Sequence, residues 1–177
     1  VSDEEMYDLR IVAANSVRSV QFPRIAEWIS RSYSQTRWAE KGISVTQAFI
    51  LSLTDRETSY KVNTEDLEGV KKLVKDKCRR WQRSPGYIYD VLKTVEAADP
   101  ELVKKVRIAS GGRDREQKVT PSRLKQIALG FPGKKNFAIQ NLLMDASINF
   151  RLYAPQTARL VEIAKQNLDG AESVKQV

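Results

Sequence analysis

Along much of the chain the buried-type residues recur every three or four positions. Leu67, Val70, Val74, Cys78 and Trp81 form one such series, and Thr157, Leu160, Val161, Ala164 and Leu168 another. That step keeps them on one face of a helix with 3.6 residues per turn, whereas a half-buried strand would alternate at every second residue. Strands find little support anywhere in the sequence. Near the N-terminus Met6, Leu9, Val12, Ala13 and Val17 repeat the helical step and suggest an apolar face on a terminal helix.

Helix starts are marked by capping residues. Ser2 with Glu5 and Ser44 with Gln47 have the spacing of capping boxes, in which the serine oxygen accepts from the third helical amide and the longer side chain reaches back. Ser84-Pro85, Asp99-Pro100 and Thr120-Pro121 each set a capping side chain before a proline at the first helical position, where the missing N–H costs nothing. Gly130 follows a periodic run and reads as a helix-ending glycine with positive φ. Together the signals predict helices over residues 3–18, 23–35, 44–54, 64–82, 85–97, 100–109, 121–129, 134–149 and 155–169. The fold class expected is therefore all-α, a compact multi-helix domain. The polar, glycine-containing segment 110–119, SGGRDREQKV, cannot bury much surface and divides an N-terminal lobe, 1–109, from a C-terminal lobe, 120–177. No internal repeat is evident.

Composition narrows the chemistry. A chain of 177 residues with 41% apolar residues can build a real core. It contains no histidine and a single cysteine, Cys78. That removes the commonest general base, the Ser-His and Cys-His nucleophile pairs, internal disulfides and cysteine-based zinc sites. The GxxxxGK[ST], GxGxxG and DxDxDG patterns are also missing, so neither an enzyme nor a cofactor or metal is expected. No apolar run reaches the length of a membrane span, and the opening VSDEEMYDL is acidic, unlike a signal peptide. An intracellular, cytoplasmic protein with no membrane partner is the expectation.

The net charge is +8 and the pI about 9.6, which favours polyanions as partners. Residues 71–83, KKLVKDKCRRWQR, are the densest basic stretch, and only Asp76 offsets its cations. On a helix over 64–82, Lys72, Lys75, Arg79 and Arg83 step by three, four and four, forming a stripe beside the apolar series. Such a stripe can track a phosphate backbone by displacing its condensed counterions. Arg80 and Trp81 lie within the same stretch, and Tyr87 follows it, so aromatics interleave with cations as they do where bases stack. Trp81 also completes the apolar series and so has a core role open to it. A second basic region comprises Arg107, Arg113, Arg115, Lys118, Arg123, Lys125, Lys134 and Lys135. Within it GFPGKKN, residues 130–136, places two lysines at a helix start, where unpaired amides favour phosphate oxygens. Pro132 and the two glycines make that turn a poor match to a helix-turn-helix.

In order along the chain, RIAEWISRSYSQ (24–35), WAEKGISVTQAFILSLTDRE (38–57) and KVTPSRLKQIAL (118–129) resemble helices of the all-helical nucleoproteins that coat the genomes of phlebovirus-like negative-strand RNA viruses. The coat proteins of flexible filamentous plant viruses are distantly similar. The patterns that carry the resemblance are Glu27-Trp28-Ile29 and Thr120-x-Ser122-Arg123, within roughly the first 130 residues. It implies a basic cleft between two helical lobes that sequesters single-stranded RNA, an N-terminal arm (1–18) docked on the next subunit, a homo-oligomer or polymer on nucleic acid, and a place in a virion. The sequence thus points to a non-enzymatic, RNA-binding (or DNA-binding) packaging protein. A helical DNA-binding regulator and an adaptor for an acidic protein remain as alternatives.

Overall fold

The computed structural model describes residues 2–16, 22–54, 62–108 and 119–175. Among these the chain is all-α. The helices are α1 (Asp3–Ser16), α2 (Phe22–Ser34), α3 (Arg37–Glu40), α4 (Val45–Leu53), α5 (Thr64–Trp81), α6 (Pro85–Ala97), α7 (Pro100–Ile108), α8 (Pro121–Gly130), α9 (Phe137–Asn149) and α10 (Ala154–Lys175), with a 3-10 turn at Lys134–Asn136. The expected caps form. Ser2 Oγ accepts from Glu5 N while Glu5 accepts from Ser2 N, and Ser44 and Gln47 do the same. Ser84, Asp99 and Thr120 accept from Tyr87 N, Glu101 N and Arg123 N. The short helix α3 was not expected, since four residues carry no periodicity to read.

The chain divides into two compact units, Val1–Lys93 and Thr94–Val177. The division falls inside α6; of the expected linker 110–119 only Val119 lies among the described residues. One buried amide explains the earlier boundary. Gln140, on α9, donates to the carbonyls of Ala97 (2.8 Å) and Phe131 (2.7 Å), and its oxygen accepts from Asp99 N (2.7 Å). The end of α6, the start of α7 and the end of α8 are thereby tied to the second unit.

Within the first unit α1 packs on α2 and α5, and α4 packs on α5. Ile11, Ile25, Ile29, Phe49, Val70, Val74 and Trp81 are buried at the centre. The Trp81 ring stacks on Phe49 with centroids 6.3 Å apart and planes 11° from parallel. The buried face of α1 is not the apolar one expected. Leu9 is 61% exposed, whereas Asp8, Ile11 and Ala14 are buried. The reason is a charged cluster that runs through the unit. Asp8 accepts from Ser32 Oγ (2.7 Å), Lys77 Nζ (2.8 and 3.0 Å), Arg80 (2.9 Å) and Trp81 Nε1 (2.9 Å). Lys77 also meets Glu4 at 2.6 Å and Ser32 Oγ at 2.8 Å. The described part of the segment 1–18 is the helix α1, which packs on α2 and α5 within this chain.

In the second unit α8 packs on α9 and α10. Gly130 is the last residue of α8 and not a positive-φ residue after it; among the described residues the positive-φ glycines are Gly42 and Gly133. Its lack of a side chain serves contact instead, because a Cβ there would overlap Val161 Cγ1 of α10.

Two predictions follow from these contacts. Burial pushes the Asp8 carboxyl up, but the hydrogen bonds from Lys77, Ser32 and Trp81 and the Lys77 charge outweigh it, so the group lies below its ordinary value of 3.8. Its contribution is therefore complete above that pH and is lost as the pH falls through the depressed folded value. Asp8→Asn, which leaves Lys77 with only Glu4, should cost about 3–5 kcal/mol in urea titration at pH 7. It should also flatten the loss of stability on acidification below about pH 4. A cost under about 1 kcal/mol would mean that the cluster does not hold the unit together. The second prediction concerns the α8–α10 contact. Gly130→Ala should destabilise by about 1–3 kcal/mol despite alanine's better helix propensity, and Val161→Ala in the same chain should recover part of that loss, as a double-mutant cycle would measure.

Candidate nucleic-acid interface

The helix α5 carries the densest charge, and its ends are specified by the sequence. Asn63 caps it by accepting from Asp66 N at 2.7 Å, and Glu65 and Asp66 occupy the first turn. Arg79 and Arg80 occupy the last, so both ends complement the helix dipole. Gln82 ends it in the left-handed conformation (φ 53°), and Arg83 N then bonds to Cys78 O at 3.1 Å.

One side of α5 faces the interior. Val70, Val74, Cys78 and Trp81 are buried, as the apolar spacing predicts, and so is Lys77. On another side lies an open groove of about 610 Å³, lined by Ser52, Lys71, Val74, Lys75, Cys78, Arg79, Gln82, Arg83, Ser84 and Pro85. Val74 and Cys78 are its apolar floor, and Lys71, Lys75, Arg79 and Arg83 its cations. Lys71, Lys75 and Arg79 are spaced by four residues, about 6 Å of helical rise per step, and Arg83 follows just past the helix end. Lys75 and Arg79 are exposed and form no ion pair with any described residue. At the far end the Arg83 guanidinium lies 5.0 Å from the centroid of the Tyr87 ring, which is 38% exposed.

The groove therefore gathers Lys75, Arg79, Arg83 and Tyr87 from the expected set and adds Lys71. Lys72 is exposed but does not line it, because it lies about 100° round the helix from Lys71. Arg80 belongs to the opposite function. It is held by Asp8 and points towards α1. Trp81 does not offer a stacking surface, since it is 1% exposed, stacked on Phe49 and bonded to Asp8.

The second basic region is dispersed. Arg113, Arg115 and Lys118 lie outside the described residues, as does the side chain of Arg107. Arg123 is not a surface cation. It is 4% exposed, on the face of α8 that also buries Leu124, Ile127 and Ala128, and its Nε donates to Leu152 O at 2.9 Å. Its position four residues before Ile127 was the sequence signal for burial. Lys134 and Lys135 are exposed on the 3-10 turn, which is closed by Gly133 N to Ala97 O (3.0 Å) and Asn136 Nδ2 to Pro132 O (2.9 Å).

The chain matches no protein-family model, no curated protein and no solved structure in comparisons with each. No helix among the described residues is long and apolar enough to cross a membrane.

Cys78 on the groove floor is a packing residue. It is 5% exposed, and burial pushes its thiol up to about 11 from an ordinary 9.0. A shift of that size lowers the thiolate fraction near pH 8 about a hundredfold. A thiol reagent at pH 8 should therefore modify Cys78 at least ten times more slowly in the folded protein than in urea. Equal rates would show a floor open to reagents.

Proposed function

We propose that this chain is a non-enzymatic protein that binds single-stranded nucleic acid, RNA first, through the α5 groove. The observation that carries the reading is the alignment of Lys71, Lys75, Arg79 and Arg83 along one open groove whose floor is apolar. Cations at regular spacing match the phosphates of an extended strand, and their affinity comes largely from released counterions. A duplex keeps its base faces stacked inside, whereas an unpaired strand leaves its bases free to meet side chains along the groove. Tyr87, partly exposed beside Arg83, extends the groove with a ring on which a base can stack.

The narrower reading is a packaging protein that coats a viral RNA genome, and it rests on the resemblance of residues 24–57 and 118–129 to the nucleoproteins named above. Coating requires a contact between subunits. Because α1 completes the core of its own unit around Asp8, that contact is better sought on another surface than in an exchange of the segment 1–18.

Binding of fluorescent oligo(U), oligo(dT) and a duplex of equal length, each over a range of salt, tests the reading. Single strands should bind more tightly than the duplex. Replacing Lys71, Lys75, Arg79 and Arg83 with alanine should weaken oligo(U) binding and reduce the log-log salt slope by about 0.7 per lost phosphate contact. Lys72→Ala, off the groove, should change both least. An unchanged slope in the fourfold variant would make the groove a solvated surface. Duplex preference with a defined site would favour the regulator, and no binding to either at physiological salt the adaptor.

A further inference from the structure

The second unit holds a rigid turn that keeps two aromatic rings in water. Phe150 is 76% exposed and Tyr153 67%, and the exposed Arg151 stands between them in the chain with φ 52°. The backbone is fixed from several sides. Phe150 N donates to Ala146 O (3.0 Å), Leu152 N to Ser147 O (2.8 Å), Tyr153 N to Gln156 Oε1 (2.9 Å), and Thr157 N to Tyr153 O (2.8 Å). Beneath the turn the buried Arg123 donates its Nε to Leu152 O. A left-handed arginine is more strained than a glycine would be there, and the rings gain nothing for the fold by standing in solvent.

We infer that residues 150–153 form a base-stacking platform for a single strand, with Phe150 and Tyr153 as the stacking rings and Arg151 as the phosphate or cation–π contact. The inference rests on the proposed function for the nature of the ligand, but not on the α5 groove. With the backbone fixed by these bonds, only the rotation of each ring is lost when a base stacks on it, and every base offers a π-face. The cation between the rings favours a strand over a protein partner, since the centres of protein interfaces are depleted in charge. The chain's net charge of +8 favours the same ligand.

The test compares the full chain with two double variants. Phe150→Leu with Tyr153→Leu keeps apolar bulk and removes both π-faces, whereas Phe150→Tyr with Tyr153→Phe keeps the rings. All three are titrated with fluorescent oligo(U) and with an abasic strand of the same length. Stacking is worth about five- to 150-fold per base, so the leucine variant should bind oligo(U) at least tenfold more weakly. Its salt slope should stay as in the wild type, because no phosphate contact of α5 is lost, and its affinity for the abasic strand should also be unchanged. The ring-preserving variant should bind as the wild type does. Wild-type binding of oligo(U) by the leucine variant overturns the platform and leaves the α5 groove standing. An equal loss for the abasic strand overturns it too. If instead sedimentation shows a wild-type oligomer that the leucine variant lacks, with oligo(U) affinity per subunit unchanged, the rings belong to a subunit contact and the inference fails. A wild type that binds no oligo(U) overturns both this inference and the proposed function.

Discussion

Asp8 accepts hydrogen bonds from side chains of two other helices, Ser32 on α2 and Lys77, Arg80 and Trp81 on α5. Because Lys77 and Trp81 are four residues apart, both reach the carboxylate only when α5 presents one particular face to α1. An unpaired charge in that position would cost several kcal/mol, roughly 3–5 by analogy with other broken buried pairs, so other rotations of α5 are strongly disfavoured. The rotation in turn decides what the rest of α5 does. Lys75 and Arg79 lie two residues to either side of Lys77, which places them about 160° around the helix, away from α1.

The same constraint sorts the cations of residues 71–83, apart from the exposed Lys72, into two kinds. Lys77 and Arg80 neutralise Asp8 and Glu4 and are structural. Lys71, Lys75, Arg79 and Arg83 line the groove. In the second unit a buried polar side chain plays a comparable part. Gln140 satisfies backbone groups of three elements at once, and Arg123 does for the 150–153 turn what Lys77 does for α1. In each case a polar group inside the core holds the backbone that presents charge or rings outside.

How much of this can be read from the sequence depends on how local its cause is. Capping boxes and proline-marked starts are local, and the helices begin where Ser2, Ser44, Ser84, Asp99 and Thr120 place them. The apolar series on α5 is local too, and Val70, Val74, Cys78 and Trp81 are buried as it requires. The partnership of Asp8 with Lys77 is not, because 69 residues separate them and an aspartate on an amphipathic helix is ordinarily assigned to solvent. For that reason the face of α1 was legible only as Leu9 and Val12, which is the wrong side. Gly130 shows a different failure. A glycine at a helix end has two physical explanations, positive φ or close approach, and only the position of Val161 on α10 selects the second. The groove was legible as a stripe, but its membership, with Lys71 in place of Lys72, depended on the rotation that Asp8 imposes. The exposed turn at Phe150 and Tyr153 was not legible, since aromatics between two helices read as core until their exposure is known.

The stripe also has an energetic consequence for the first unit. Lys71, Lys75 and Arg79 stand at successive i,i+4 positions of α5, and like charges at that spacing destabilise a helix by a few tenths of a kcal/mol per pair, roughly 0.2–0.5. Repulsion of that size cannot open α5 while Asp8 holds Lys77 and Trp81 from the other side. It does mean that the groove face is not there to stabilise the helix. A polyanion in the groove would relieve the repulsion, so the arrangement that weakens free α5 is the one that gains most when a strand binds. Asp8 fixes the rotation that gives the chain such a face: breaking its buried pairs would cost about 3–5 kcal/mol, about ten times what any one exposed repulsion costs.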